Sequence, residues 1–132
     1  MSDKILLVAD DYISIMVLKK ILQQRQDTRE VISFHTGQQA LKYLNGDNGY
    51  DNNHYLMFLD LDMPIVQALA FLDQILGKQQ HYNFQVVIIN SSVKPSDRQK
   101  AKKYEHVVEF IEKPLDEKKF SVIRHFLSKD YN

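Results

Sequence analysis

The amino-acid sequence predicts an α/β fold in which a doubly wound, five-stranded parallel β-sheet carries helices on both faces. Short unbroken apolar runs, typical of strands buried on both sides, alternate with longer segments whose apolar residues recur at helical spacing. Strands and helices in regular alternation indicate a parallel sheet that is covered on both faces. The length of 132 residues fits one domain, so we expect residues 1–132 to form a single unit.

The first half of the chain predicts three strands and three helices. The apolar run Ile5–Ala9 predicts the first strand, and the helix after it has its apolar face at Ile15, Leu18, Ile21 and Leu22. Glu30–Phe34 predicts a second strand, and Gln38–Leu44 predicts a short helix. A loop rich in Asn, Asp and Gly follows. After that loop, Tyr55–Leu59 predicts the third strand and Val66–Leu76 the third helix.

The second half of the chain predicts two more strands, each followed by a helix. The apolar run Val86–Ile89 predicts the fourth strand. Pro95 suits the first turn of the fourth helix, where its missing N–H costs nothing, and this helix runs to about Tyr104. Val107–Ile111 predicts the fifth strand. The last helix, from about Asp116 to Lys129, has one apolar face formed by Phe120, Ile123 and Leu127.

Composition and charge exclude several classes of protein. A hydrophobic content of 44% and a charged content of 26% are ordinary for a globular fold. The formal net charge is zero, which argues against nucleic acid or an anionic membrane as the main partner. No apolar run approaches the ~20 residues that span a bilayer, and no signal-peptide pattern opens the chain, so we expect a cytoplasmic protein. The absence of cysteine excludes disulfides and thiolate metal sites.

Polar residues gather where the predicted strands end. Asp10 and Asp11 follow the first strand, Asp60 the third, Asn90-Ser91-Ser92 the fourth and Lys113 the fifth. In such sheets ligands bind outside the carboxyl ends of the strands, where the strand order reverses. In the flavodoxin-like order 2-1-3-4-5, the first and third strands are neighbours. The three aspartates then converge in one cleft, with a hydroxyl and an ammonium group on its far side.

These groups together favour capture of a phosphoryl group on an aspartate. Converging carboxylates repel one another and suit a hard divalent cation, of which Mg²⁺ fits best. A carboxylate can also attack phosphorus and form an aspartyl phosphate. The phosphoryl oxygens then need positive charge and hydrogen-bond donors. Lys113 offers the charge and Ser91 the hydroxyl donor, although Asn90 and Ser92 remain alternatives because the run Asn90-Ser91-Ser92 has no internal marker.

Four segments, in this order and at strand ends, resemble the receiver domain of bacterial two-component response regulators, of the single-domain, chemotaxis-regulator-like kind. The resemblance covers nearly the whole chain, and its motifs are Leu-Val-Ala-Asp10-Asp11-Tyr, Phe-Leu-Asp60-Leu-Asp62-Met-Pro, Ile-Asn-Ser91-Ser and Phe110-Ile-Glu-Lys113-Pro. It implies that Asp60 accepts a phosphoryl group from the phosphohistidine of a sensor kinase or a phosphotransfer protein. It also implies that Mg²⁺ is bound by Asp10, Asp11, Asp60 and the backbone carbonyl of Asp62.

The resemblance also implies how the signal leaves the site. Lys113 pairs with the phosphoryl group, Ser91 moves towards it, and the ring of Phe110 turns inward as Ser91 moves. The surface of the fourth helix, fifth strand and fifth helix changes as a result. The peptide bond between Lys113 and Pro114 resembles the cis bond of the family.

Several readings stay open beside this one. Asp10 and Asp11 also suit the N-terminus of the first helix, and Phe110 is, on packing grounds alone, a core aromatic residue. Relatives usually have Asp-Gly where this chain has Gln67-Ala68, and an uncharged residue where it has Asp62. The loop beside Asp60 is therefore the segment in which a departure from the family pattern is expected.

The leading functional hypothesis is a stand-alone phosphoacceptor without an output domain that signals to an unidentified protein by direct contact. It is not an enzyme beyond Mg²⁺-dependent self-phosphorylation and self-dephosphorylation. One alternative is a degenerate receiver that acts as a non-phosphorylated binding module. Another is an aspartate-nucleophile phosphatase of the haloacid-dehalogenase type, suggested by Asp60-Leu-Asp62. The order of the acidic motifs argues against the phosphatase, because Asp10 and Asp11 precede Asp60.

Overall fold

The computed structural model describes residues 3–24, 29–46, 54–76, 83–91 and 94–121. Five strands form one sheet in the order β2-β1-β3-β4-β5, and all of its neighbouring strands run parallel. This is the predicted flavodoxin-like order. The strands are β1 (Asp3–Ala9), β2 (Glu30–Phe34), β3 (His54–Asp60), β4 (Asn83–Asn90) and β5 (Val107–Glu112).

A helix follows every strand, as predicted. The helices are α1 (Tyr12–Gln24), α2 (Gly37–Gly46), α3 (Ile65–Leu76), α4 (Pro95–Lys102) and α5 (Glu117–Phe120). The expected continuation of the last helix to Lys129 lies outside the described residues. No helix of the described ranges is long and apolar enough to cross a membrane.

Several element boundaries differ from the predicted ones by one to three residues, and two of these differences accompany tertiary contacts. Strand β4 begins at Asn83 rather than Val86, since Asn83–Gln85 pairs with the first residues of β3. Helix α4 ends before Tyr104, where the last turn tightens: the Tyr104 amide donates to the Ala101 carbonyl, 3.0 Å away. The Tyr104 hydroxyl donates to Asp73 of α3 at 3.0 Å, which fixes the residue outside the helix.

The apolar core consists of two layers, one on each face of the sheet. Side chains alternate along β1, so Leu6 and Val8 lie in the layer shared with α2, α3 and α4. The side chains of Ile5, Leu7 and Ala9 lie in the layer shared with α1. All four residues of the predicted apolar face of α1 are buried: Ile15, Leu18, Ile21 and Leu22. Because both faces are covered, the polar groups of the central strands β3 and β4 lie at the strand ends, at Asp60 and Asn90.

Candidate functional site

Asp60 is the last residue of β3 and lies inside the protein. Its side chain has 0% exposure, and it pairs in register with Ala9, the residue that ends β1. Burial raises the pKa of the Asp60 carboxyl group, while the nearby Lys113 ammonium opposes that rise. A buried carboxylate is costly without a partner, so the groups around Asp60 decide whether it is ionised.

Lys113 is the cation that faces Asp60. It follows β5, and its Nζ lies 2.8 Å from Oδ1 of Asp60. The amide of Lys113 donates to the Asn90 carbonyl at 2.8 Å, which ties this residue to the end of β4. Partial burial alone would lower the pKa of the Lys113 ammonium, but the contact with Asp60 outweighs it and the pKa is raised. The peptide bond between Lys113 and Pro114 is cis, as the resemblance implied.

The two carboxylate oxygens of Asp60 are not satisfied by the protein. Both are buried, and neither accepts a regular hydrogen bond from a described residue. The approach of Lys113 to Oδ1 is therefore an ion pair rather than a well-directed hydrogen bond. Buried acceptors without regular hydrogen bonds are rare in folded proteins and point to a bound ion or a reactive role.

Asp10 and Asp11 lie between β1 and α1, and both are exposed. Asp11 caps α1: its carboxylate accepts from the Ile13 amide at 3.0 Å and from the Ser14 hydroxyl at 3.3 Å. Both aspartates also act on the ion pair. The charge of Asp10 raises the pKa of Asp60, and the charge of Asp11 contributes to the raised pKa of Lys113. Asp11 can therefore cap α1 and at the same time act electrostatically on the pair formed by Asp60 and Lys113.

Ser14 is a site residue that the sequence did not indicate. It is 7% exposed, although it lies in the first turn of α1. Its hydroxyl donates to Asp11 and is close enough to Asp60 to lower the pKa of that carboxyl group. The sequence feature that could have indicated Ser14 is its place directly before Ile15, at the border of the predicted apolar face of α1.

Asp62 points to a different neighbour. Its backbone adopts the left-handed conformation, with φ at 52°. Its Oδ1 accepts a hydrogen bond of 3.1 Å from the backbone amide of Ser91. The hydroxyl and the amide of Ser91 lower the pKa of the Asp62 carboxyl group. The Asp62 side chain is therefore bound to the end of β4, and its backbone carbonyl is the group that the resemblance assigned to Mg²⁺.

The three candidates for the switch position have different surroundings. Asn90 is the buried last residue of β4, and its Nδ2 donates to the Met63 carbonyl at 3.3 Å. Ser91 is the first residue after β4 and is exposed. Ser92 lies outside the described residues. Asn90 is thus engaged in holding β4 to the segment after Asp60, whereas Ser91 has a hydroxyl at the surface of the site.

Phe110 lies in β5 with its ring inside the core. It is 5% exposed, and the guanidinium carbon of Arg98 lies 5.8 Å from the ring centroid. In this arrangement the ring lies inward, packed in the core. The part of Phe110 in switching stays a prediction.

Gln67 and Ala68, which replace the usual Asp-Gly of the family, lie in the first turn of α3. The amides of both residues donate to the Pro64 carbonyl, at 2.9 and 3.1 Å, so the helix begins directly after this proline. Ala68 is buried in the core, where a larger side chain would not fit without rearrangement. The special backbone conformation of this segment is at Asp62 instead.

The oxygen donors near Asp60 suit Mg²⁺ held by few ligands. No group of three or more His, Asp or Glu side chains within the described ranges is arranged to hold a metal ion. Mg²⁺ does not require such a cage, since one or two carboxylates, waters and a phosphate complete its octahedron. The unsatisfied oxygens of Asp60, next to the charge of Asp10, match that requirement.

Comparison with known proteins agrees with this geometry. Residues 5–123 match the family described as the response regulator receiver domain. No curated protein sequence matches the chain. Among solved structures, a two-component response regulator from Legionella pneumophila is similar, with 22% identity and a TM-score of 0.74 over 98% of this chain and 99% of that chain.

Two further solved structures support the same fold. The chemotaxis protein CheY4 of Vibrio cholerae is 18% identical, with a TM-score of 0.72 over 96% of this chain and 99% of that chain. The bacteriophytochrome response regulator RtBRR is 31% identical, with a TM-score of 0.69 over 96% of this chain and 78% of that chain.

Receiver domains are phosphoacceptors of two-component signalling; they interact with histidine kinases or phosphotransfer proteins and bind Mg²⁺ at an acidic pocket. Because the match spans residues 5–123 of 132, this chain belongs to the response regulator receiver domain family.

Proposed function

We propose that this chain accepts a phosphoryl group on Asp60 from the phosphohistidine of a sensor histidine kinase or a histidine phosphotransfer protein. The surroundings of Asp60 carry the proposal: a fully buried carboxylate faces one ammonium group, and its oxygens lack regular hydrogen bonds. A purely structural carboxylate at this depth would be expected to have its oxygens satisfied by donors. Free lone pairs beside a cation instead suit a nucleophile.

The chemistry of the proposed transfer uses three residues. One Asp60 oxygen attacks phosphorus and forms an O–P bond, while the P–N bond of the donor breaks and its electron pair stays on the imidazole nitrogen. Lys113 opposes the burial that raises the pKa of Asp60, and then faces the transferred phosphoryl oxygens. Ser91 donates its hydroxyl hydrogen to one of these oxygens.

Mg²⁺ is the proposed cofactor. Its candidate ligands are Asp10, Asp11, Asp60 and the backbone carbonyl of Asp62, of which one or two carboxylates suffice beside waters and a phosphoryl oxygen. When bound, the ion supplies positive charge to the phosphoryl oxygens. The capping bonds of Asp11 orient its carboxylate at the start of α1. Asp60 contributes its unsatisfied oxygens.

The proposed output is a change in the surface formed by α4, β5 and α5, recognised by a downstream protein rather than by nucleic acid. Ser91 and Phe110 are the proposed switch residues, and they lie on the neighbouring strands β4 and β5 or directly after them. The chain is proposed to act as a phosphoacceptor and not as an enzyme with a separate substrate. The expectation of a single receiver domain without an output domain stays a prediction.

Incubation with acetyl phosphate, read by intact mass, tests the proposal. We expect one added phosphoryl group in the presence of Mg²⁺ and none after Mg²⁺ is removed with EDTA. Asp60→Asn should abolish the added mass, whereas the matched control Asp73→Asn, an exposed acid of α3, should not. Full labelling of Asp60→Asn would contradict the assignment. A folded wild-type chain that takes up no phosphoryl group would favour the binding module, and steady hydrolysis of phosphate esters would favour the phosphatase.

A further inference from the structure

Asp62 is in an unusual backbone conformation for a residue other than glycine. Its φ of 52° is the one positive value among the non-glycine residues that the structure describes. Left-handed residues cost free energy unless local contacts hold them, and aspartate accepts the conformation better than most residues because its short side chain can form local hydrogen bonds. The side chain is exposed, so packing in the core does not explain the conformation.

The contact that accompanies this conformation joins two separate parts of the site. Oδ1 of Asp62 accepts from the Ser91 amide at 3.1 Å, across 29 positions of sequence. This bond fixes the backbone of Ser91, and with it the position of its side chain, next to Asp62. One carboxylate therefore joins the segment after β3 to the first residue after β4. A second bond, from Nδ2 of Asn90 to the Met63 carbonyl at 3.3 Å, runs alongside it.

We propose that Asp62 is a positioning residue that holds Ser91 in the resting arrangement and competes with the phosphoryl group for it. This inference rests on the proposed function, in which Ser91 donates to a phosphoryl group on Asp60. The bond to Asp62 holds the Ser91 backbone in place, so Ser91 must leave Asp62 before its hydroxyl reaches the phosphoryl oxygens. The Asp62 carboxylate is a charge-assisted acceptor, which is stronger than a neutral amide in the same place.

Phosphorylation itself weakens this restraint. The phosphoryl group brings roughly 1.5 to 2 negative charges to Asp60, two residues from Asp62. This negative charge repels the Asp62 carboxylate and gives the Ser91 hydroxyl new charged acceptors. Asp62 therefore sets the fraction of phosphorylated molecules that switch, since it stabilises the resting arrangement and not the switched one.

Two substitutions separate the charge of Asp62 from its hydrogen bond. Asp62→Asn keeps an acceptor oxygen and tolerates positive φ, but it removes the charge. Asp62→Gly removes the whole side chain and relaxes the backbone at φ 52°, so it is the variant that folds without strain. Glu105→Gln, an exposed acid of the turn between α4 and β5, is the matched control for the loss of one negative charge.

The first measurement is hydrogen exchange at the Ser91 amide in unphosphorylated protein with EDTA. We expect faster exchange in the order Asp62→Gly, Asp62→Asn, wild type, with Glu105→Gln equal to wild type. Urea denaturation gives the free energy of unfolding of each variant. A change in exchange at Ser91 that is larger than the change in this free energy is local to the site. Unchanged exchange at Ser91 in Asp62→Gly would overturn the proposal, because Asp62 would then not hold this amide.

The second measurement is the ratio of switched to resting molecules among those labelled with acetyl phosphate at saturating Mg²⁺. Intact mass gives the labelled fraction, and amide NMR signals of residues 94–121 give the switched fraction. We expect Asp62→Asn to raise the ratio about fivefold, and Asp62→Gly to raise it further, since a charged hydrogen bond is replaced by a neutral one or by none. A ratio equal to or below that of wild type in both variants would overturn the competition.

The two proposals fail in different ways. If the wild-type protein takes up no phosphoryl group, the proposed function fails. The proposed competition for Ser91 then fails as well, even if hydrogen exchange at the Ser91 amide changes as expected. If wild type is labelled on Asp60 and switches, but the Asp62 variants switch to the same extent, the proposed function stands and the role of Asp62 is wrong.

Discussion

At the scale of single residues, the two partners of the central ion pair are unequal. The Asp60 side chain is 0% exposed, whereas that of Lys113 is 21% exposed. Removal of Asp60 leaves an ammonium group that water can reach. Removal of Lys113 leaves a buried carboxylate without its cation, which is strongly destabilising. The folded state therefore depends more on Lys113 than on Asp60.

Lys113→Met is expected to lower the free energy of unfolding by about 3 kcal/mol at pH 7. Burial already holds the pKa of Asp60 above its ordinary value, and loss of Lys113 raises it further. The unpaired charge destabilises the fold fully above that raised pKa. The deficit shrinks as the pH falls below it and is lost when the pH reaches the ordinary pKa of aspartate in the unfolded chain. Urea denaturation between pH 4 and 8, in EDTA, measures the effect.

Two controls accompany this experiment. Lys102→Met changes an exposed lysine of α4 and should have little effect at any pH. Adding Asp60→Asn to Lys113→Met should restore much of the lost stability, because the buried charge is gone. A deficit of equal size at pH 4.5 and pH 7 would show that Lys113 stabilises the fold through packing and not through charge.

The site residues that end or follow buried strands were predictable from the sequence, because the carboxyl ends of parallel strands all lie on the same side of the sheet. Asp60 and Lys113 are brought together in this way. The hydrogen bond between Asp62 and Ser91 was not predictable, because it accompanies a left-handed backbone conformation at Asp62 that no sequence motif indicates. Ser14 was missed because a lone serine in an amphipathic helix is more often exposed than buried.

At the scale of secondary-structure elements, the apolar patterns were sufficient for the order and the buried faces. The boundaries were less predictable where tertiary contacts extend or end an element. Strand β4 gains Asn83–Gln85 by pairing with β3, and the contact of Tyr104 with Asp73 accompanies the early end of α4. Neither contact has a local signal, because each depends on a distant partner.

The approach of α2 to α3 offers a test at this scale. A Cβ added at Gly37, the first residue of α2, would lie 2.9 Å from Cε1 of Phe71 on α3. Gly37→Ala is expected to lower the free energy of unfolding by about 1 kcal/mol, since the ring has to move. Chemical denaturation measures the difference.

Gly46→Ala is the matched control, because it lies in the last turn of the same helix and its added Cβ would meet nothing within 4 Å. Alanine is the better helix former, so this variant should be as stable as wild type or more so. If Gly37→Ala is no less stable than Gly46→Ala, the close packing of α2 against Phe71 is not a constraint.

At the scale of the whole molecule, helices cover both faces of the sheet, and the site lies at the carboxyl ends of the strands. A signal from Asp60 must therefore travel through the segments that contact the site. Two bonds join the segment after β3 to the end of β4, and the Lys113 amide joins β5 to the same point. Arg98 of α4 covers the Phe110 ring of β5. These contacts favour the α4–β5 side as the route.

Phosphorylation is therefore expected to shift the backbone amide NMR signals of residues 94–121 more than those of residues 12–24 and 29–46. Phe110→Ala should leave labelling of Asp60 intact and reduce these shifts, because the buried ring couples β5 to α4. Larger shifts in α1 and α2 would mean that the output surface lies on the other side of the molecule.

The most direct measurement for the whole proposal is the location of the phosphoryl group. Protein labelled with acetyl phosphate and Mg²⁺ is digested, and tandem mass spectrometry identifies the modified residue. We predict a single modified residue, Asp60, which is the buried carboxylate that faces Lys113. A phosphoryl group on Asp10, Asp11 or any other residue, with Asp60 unmodified, would contradict the central role of Asp60.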